Sequence, residues 1–171
     1  MNHGFIRVAA AIPEVMVADC VSNATHIENL MLQAEEKGVE IICFPELSMT
    51  GYSCGDLFHQ QILIEEAELA LGRLLQQTEK LHLVGIVGVP VVVEDKLYNT
   101  AVVFQKGIIL GVIPKTYLPN YAEFSEKRWF TSSQEADSDF VFLCGQEAPF
   151  SSHVIFEGKV DNSPVRFGIE I

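Results

Sequence analysis

The chain has 171 residues, enough for one domain with a sizeable core, and 49% of them are hydrophobic. Its formal net charge is −12, with acidic residues spread along the length and no basic cluster, which argues against a nucleic-acid partner, because phosphate binding leaves a lysine and arginine footprint. A membrane span needs about 18 uninterrupted apolar residues; the stretch 81–93 is shorter and carries His82 and Pro90, and Arg7 interrupts the apolar N-terminal run, so a cytoplasmic chain without a membrane partner is expected.

Residues 5–12 read as a first strand, ended by Pro13. Asp19 is placed to cap a helix running to Lys37, with Val21, Ala24, Ile27, Leu30, Met31 and Ala34 at three- and four-residue steps on its buried face. Gly38 suits the C-terminal stop. Residues 39–44 form a second strand, and short connections make a parallel strand-helix-strand unit the expectation. A polar, glycine-containing loop covers 45–56. A second helix is expected over 61–80, with Ile62, Leu63, Leu69, Leu74 and Leu75 as core contacts. Strands over 83–93, 97–104 and 108–113, joined by tight links, predict an antiparallel meander. Residues 116–131 are aromatic and charged without a clean period. Residues 140–143 and 154–157 are expected as short strands, 158–164 as a turn, and 165–171 as a buried final strand that ends without turn chemistry. The fold class is α/β, with helices packed on a mixed sheet.

The four cysteines form no C-x-x-C pair, and His3, His26, His59, His82 and His153 are scattered. No metal site is expected. Cys54 lies in a loop; Cys20, Cys43 and Cys144 read as structural.

Two charges occupy similar places. Glu46 follows the second strand by two residues and Lys115 follows the fifth by two, and functional groups gather beyond the carboxyl ends of strands in open α/β sheets. Both sit among apolar neighbours, so each needs a charge partner or a substrate. Pattern alone favours a structural ion pair or two unrelated solvated charges.

The flanking residues shift that balance. Phe44-Pro45-Glu46-Leu47 with Thr50-Gly51-Tyr52, then Pro114-Lys115 with Tyr117-Leu118-Pro119, Glu123-Phe124 and Arg128-Trp129-Phe130, resemble the nitrilase (carbon–nitrogen hydrolase) superfamily along the whole chain. Residues 50–58 and 115–124 are most similar to the branch formed by the glutaminase domains of glutamine-dependent NAD synthetases. The resemblance implies a four-layer αββα sandwich, incomplete here at its C-terminus, and a Glu-Lys-Cys catalytic set. Glu46 would be the base and Lys115 the oxyanion-stabilising cation. The cysteine would be the residue after Ile171, which makes a catalytic Cys54 a poor fit. Glu123 matches a second glutamate that positions substrate and lysine. Tyr52 and Tyr121 match tyrosines bordering the glutamine site, with ordinary packing as the alternative for both.

The resemblance further implies glutamine as substrate, a glutamyl thioester intermediate, and no cofactor in this domain. ATP, Mg and deamido-NAD would belong to a C-terminal synthetase domain, a partner outside these residues. A homo-oligomer is implied, since members of the family usually assemble; the chain alone would leave sheet edges and an apolar face uncovered and is expected to be marginally stable, to aggregate or to associate. A stand-alone amidase or carbamoylase, and a non-catalytic scaffold of the same fold, remain the alternatives.

Overall fold

The computed structural model describes residues 5–160 and 163–171. Its frame is a five-stranded sheet ordered β1-β2-β3-β4-β5, built from Val8–Ala10, Ile41–Cys43, Val84–Val93, Lys96–Gln105 and Ile108–Pro114. The first three strands pair in parallel and the last three as an antiparallel meander, as expected. β5 therefore runs in the same direction as β2, and both carboxyl ends lie on one edge of the sheet.

Between β1 and β2 lies α1, Cys20–Glu36. Asp19 caps it by accepting from Ser22 N–H, and Gly38 follows its end at φ +66°, a left-handed backbone that suits glycine. The buried face is Cys20, Asn23, Ala24, Ile27, Met31 and Ala34, whereas Val21 points to solvent. Asn23, outside the expected face, is buried with it. Its amide donates to the Met16 and Met49 carbonyls at 2.8 and 3.0 Å, and its oxygen accepts from Met16 N–H, so burial leaves it fully bonded.

The second helix, α2, spans Gln61–Gln77 and stops three residues short of the expectation, where the Thr78 hydroxyl donates to the Leu74 carbonyl. It buries Leu63, Ala67, Ala70, Leu71, Leu74 and Leu75. Ile62 and Leu69 are exposed, because the small residues Ala67 and Ala70 hold the close-packed stripe against α1 and β3.

Both helices cover one face of the sheet, against Val87, Val89 and Val91 of β3 and Val102 and Phe104 of β4. The alternate side chains, Ile86, Ala101, Val103 and Ile113, turn to the other face. That face is met by a hairpin of Ile155–Val160 (β8) and Ser163–Gly168 (β9), through Phe156 and Phe167, with Ile169 and Ile171 following. Two expectations change here. The strands extend to Val160 and from Ser163, so most of the expected 158–164 turn is ladder; residues 161 and 162 lie outside those described. The final strand is also not buried, since among the described residues β9 pairs with β8 alone and alternates between half-buried and exposed. A further hairpin, β6 (Phe140–Leu143) with β7 (Gln146–Pro149), packs beside β5; β7 was expected as loop. Among the described residues no helix is long and apolar enough to cross a membrane.

Candidate active site

Glu46 and Lys115 start from strands separated by β3 and β4, roughly 14 Å across the sheet at about 4.8 Å per strand. The loop after β2 closes that gap by crossing β3 at Gly88. A Cβ on Gly88 would lie 2.1 Å from Leu47 N and 2.6 Å from the Pro45 carbonyl oxygen, so only glycine admits the crossing. The crossing is pinned at three points. Met49 N–H donates to the Gly88 carbonyl at 3.1 Å, Gly88 N–H donates to Ser48 Oγ at 3.3 Å, and Phe44 N–H donates to the Ile86 carbonyl at 2.9 Å. Leu47, fully buried at φ +51°, makes the turn that leaves Glu46 over the sheet edge.

There the two residues meet. Lys115 Nζ donates to Glu46 Oε2 at 2.7 Å and to Glu126 Oε1 at 3.1 Å. Glu126 Oε1 also accepts from the Tyr52 hydroxyl at 2.7 Å. Lys115 and Glu126 are buried, their side chains 8% and 2% exposed, while Glu46 is 35% exposed and so forms the open wall of the cluster. The Tyr52 phenol is pushed well above its ordinary value, first by burial and then by the hydrogen bond to Glu126. It stays a neutral donor. Glu126 Oε2 has no hydrogen-bond partner among the described residues, an acceptor held ready in a buried place.

The expectation placed the second glutamate at Glu123. The structure puts Glu126 on Lys115, and Glu123 is exposed. The reason is a 3-10 turn, Glu126–Arg128, which returns toward the sheet through Glu126 N–H to the Pro119 carbonyl at 3.2 Å. Tyr52 and Tyr121 both pack edge-on to Phe124, at 6.4 and 5.7 Å between ring centroids, in one aromatic group. Tyr52 touches the charged cluster; Tyr121 lies on its exposed side. Asn99, absent from the expected set, donates to Glu46 Oε2 at 3.0 Å.

The segment carrying Tyr52, two 3-10 turns over Tyr52–His59, is latched to the segment carrying Glu126. Asp56 accepts a two-pronged pair from Arg128 at 2.7 and 2.8 Å, and the Trp129 indole N–H at 3.0 Å, while Phe58 packs on Trp129 and Phe130. Arg128 holds the Asp56 carboxyl at about 2, below its ordinary 3.8. A carboxyl depressed on folding contributes stability above its unfolded value that is lost as pH falls through the folded one. The latch is therefore expected to release between about pH 4 and pH 2. Trp129 is the single tryptophan, so its fluorescence reports the event. Asp56→Asn should remove that transition, and added salt should weaken it, since the pair is exposed. An emission that is flat between pH 4 and 2 in the parent chain would refute the latch.

None of the four cysteines bonds to Glu46 or Lys115 among the described residues. Burial pushes the Cys20 and Cys144 thiols up to about 11 and about 12 and raises Cys54 as well, away from the reactive thiolate, while Cys43 is exposed on β2. Cys54 is buried and donates to the Thr50 and Gly51 carbonyls at 3.1 and 3.3 Å, holding its loop. Among the described residues no three His, Cys, Asp or Glu side chains are grouped to hold a metal.

The carbon-nitrogen hydrolase family profile matches residues 7–168. The chain belongs to the carbon-nitrogen hydrolase family. It is similar to glutamine-dependent NAD(+) synthetases of Mycobacterium tuberculosis, 34% identical over 91% of this chain and 23% of the relative, and of Aquifex aeolicus, 36% identical over 70% of this chain and 21% of the relative. Among solved structures it superposes on a glutamine-dependent NAD(+) synthetase from Cytophaga hutchinsonii with a TM-score of 0.82 at 27% identity, covering 90% of this chain and 26% of that one. An amidase from Nesterenkonia, at 18% identity and a TM-score of 0.62, shares the fold over 83% of this chain and 53% of its own. The chain thus spans about a quarter of the length of the synthetases it matches. Its α/β fold is of the nitrilase type: α1 and α2 form one helix layer, β1 to β5 one sheet, and the β8–β9 hairpin lies on the sheet's second face.

Proposed function

We propose that this chain supplies the base and the cation of a glutamine-hydrolysing domain of the glutamine-dependent NAD synthetase kind, and that the thiol nucleophile comes from outside these 171 residues. The observation that carries the reading is the Glu46–Lys115–Glu126 cluster, which lies within residues 7–168, the span the carbon-nitrogen hydrolase profile matches. The nucleophile's origin is supported by the four cysteines, none of which bonds to Glu46 or Lys115 among the described residues, and by Ile169 and Ile171. These two pack on the group containing Ala101 and Ile113, two residues along the strands from Asn99 and Lys115.

In this reading Glu46 takes the thiol proton and the sulfur attacks the side-chain carbonyl of glutamine. Lys115 Nζ stabilises the oxyanion, an effect of about 3 kcal/mol for one preorganised donor. Glu46 returns the proton to the leaving nitrogen, ammonia departs, and water attacking the glutamyl thioester releases glutamate and the thiol. Tyr52 and Tyr121 border the substrate. The ammonia would serve a synthetase domain in which ATP, Mg and deamido-NAD are the reactants.

The test is ammonia release from glutamine. The 171-residue chain should give none. The full-length protein carrying the nucleophile should turn over, and Glu46→Ala or Lys115→Ala should each lower kcat by about 100-fold or more. Turnover by the 171-residue chain that disappears with Glu46→Ala would overturn the external nucleophile. A full-length protein inert toward glutamine would overturn the activity.

A further inference from the structure

Glu46 has two oxygens, and the structure treats them differently. Oε2 accepts both from Lys115 Nζ at 2.7 Å and from Asn99 Nδ2 at 3.0 Å, while Oε1 has no hydrogen bond among the described residues and lies on the exposed side of the cluster. Asn99 is completely buried on β4, on the sheet face that the Glu46 loop crosses. Its backbone is engaged too: the Asn99 carbonyl accepts from Lys115 N–H at 2.9 Å. One residue thus sets the backbone of the cation and the carboxylate of the base.

The amide has a single chemically sensible orientation, because a flip would turn its oxygen toward a carboxylate. That orientation leaves Oδ1 without a partner among the described residues. A buried amide that satisfies only its donor side is a poor packing choice, and an apolar residue of similar size would fill the position without it. The donor to Glu46 is what the asparagine adds.

We propose that Asn99 is a positioning residue for the hydrolysis: it fixes Oε2 beside Lys115 and so leaves Oε1 as the oxygen that exchanges the proton. The proposal rests on the reading of Glu46 as the base. A carboxylate held by Lys115 alone could rotate either oxygen onto the ammonium, and its proton-accepting lone pair would lose its fixed direction.

Steady-state glutamine hydrolysis by the full-length protein tests this with Asn99→Leu, Asn99→Ser, Glu46→Gln and the double variant Asn99→Leu/Glu46→Gln. Asn99→Leu should lower kcat by about 100-fold, the scale of a small misplacement of a reacting group, with KM for glutamine unchanged. In the Glu46→Gln background the same change should have almost no further effect, because it acts through the carboxylate. Asn99→Ser gives the same readout should leucine prevent folding. Equal losses in both backgrounds, or a fully active Asn99→Leu beside an inactive Glu46→Gln, would overturn the positioning role alone. A Glu46→Gln variant with parental kcat would overturn the base reading and the role of Asn99 with it.

Discussion

Gly88→Ala is expected to dismantle the site without touching a charged residue. The added methyl would sit 2.1 Å from Leu47 N, 2.6 Å from the Pro45 carbonyl oxygen and 2.7 Å from the Glu46 carbonyl carbon. All three are backbone atoms, so no rotamer change relieves the contact. Either β3 or the crossing loop must move, and β3 is the central strand, paired on both sides. The loop will give way, taking Glu46 off Lys115 and breaking the bonds from Met49 N–H to the Gly88 carbonyl and from Gly88 N–H to Ser48 Oγ. Overpacking of a core costs about 1–3 kcal/mol, and a backbone collision belongs at the upper end, about 3 kcal/mol. Chemical denaturation of the parent and the variant measures that loss. Gly85→Ala is the internal comparison: there the added methyl meets only side chains, Phe104 at 2.6 Å and the flexible end of Met31 at 2.9 Å. A Gly88→Ala variant at parental stability would show that the crossing is not tight.

Gly88 also shows what the sequence made readable and what it hid. A glycine inside a strand signals close backbone approach, but the segment Val84-Gly85-Ile86-Val87-Gly88 carries two, and only the fold tells which one faces the loop. The strand-helix-strand unit and the meander were legible because their signals are local: the Asp19 cap, Gly38 at the helix end, and apolar runs divided by Glu94-Asp95 and Lys106-Gly107. β7 was not, because Gln146-Glu147-Ala148-Pro149 has neither alternation nor β-branched residues and is held by pairing with β6.

Within the site, Glu46 and Lys115 stood out by their places after strands. The family resemblance points to Glu123 as the second glutamate, whereas the carboxylate on Lys115 is that of Glu126; residues 116–131 lack a period, so their pattern does not say which carboxylate turns inward. The structure decides through the 3-10 turn and the Tyr52 contact, both set by residues far away along the chain. Asn99 was concealed by its surroundings, a buried polar residue in a strand that runs on as Ala101-Val102-Val103-Phe104; the polar pair Asn99-Thr100 ahead of that apolar run was the available signal.

Lys115→Met is expected to be the most destabilising single change among the charged residues. The ammonium is the cation shared by Glu46 and Glu126, and it is itself buried. Methionine matches its volume but leaves Glu126, 2% exposed, with only the Tyr52 hydroxyl and faced by a second carboxylate. Removing one partner of a buried ion pair costs about 3–5 kcal/mol, mostly because the remaining charge is stranded. Glu126→Gln should cost far less, about 1 kcal/mol, since an amide of the same shape still accepts from Tyr52 and Lys115. The double variant Lys115→Met/Glu126→Leu should recover part of the Lys115→Met loss, because no charge is left stranded in the interior. Urea unfolding of the three variants gives the order. A Lys115→Met loss below about 1 kcal/mol, the range of a surface pair, would refute the buried cluster. The recovered double variant should still fail to hydrolyse glutamine in the full-length protein. That pairing of restored stability with lost turnover is what a cluster retained for chemistry predicts: apolar packing can replace the charges in the fold and cannot replace the cation at the oxyanion.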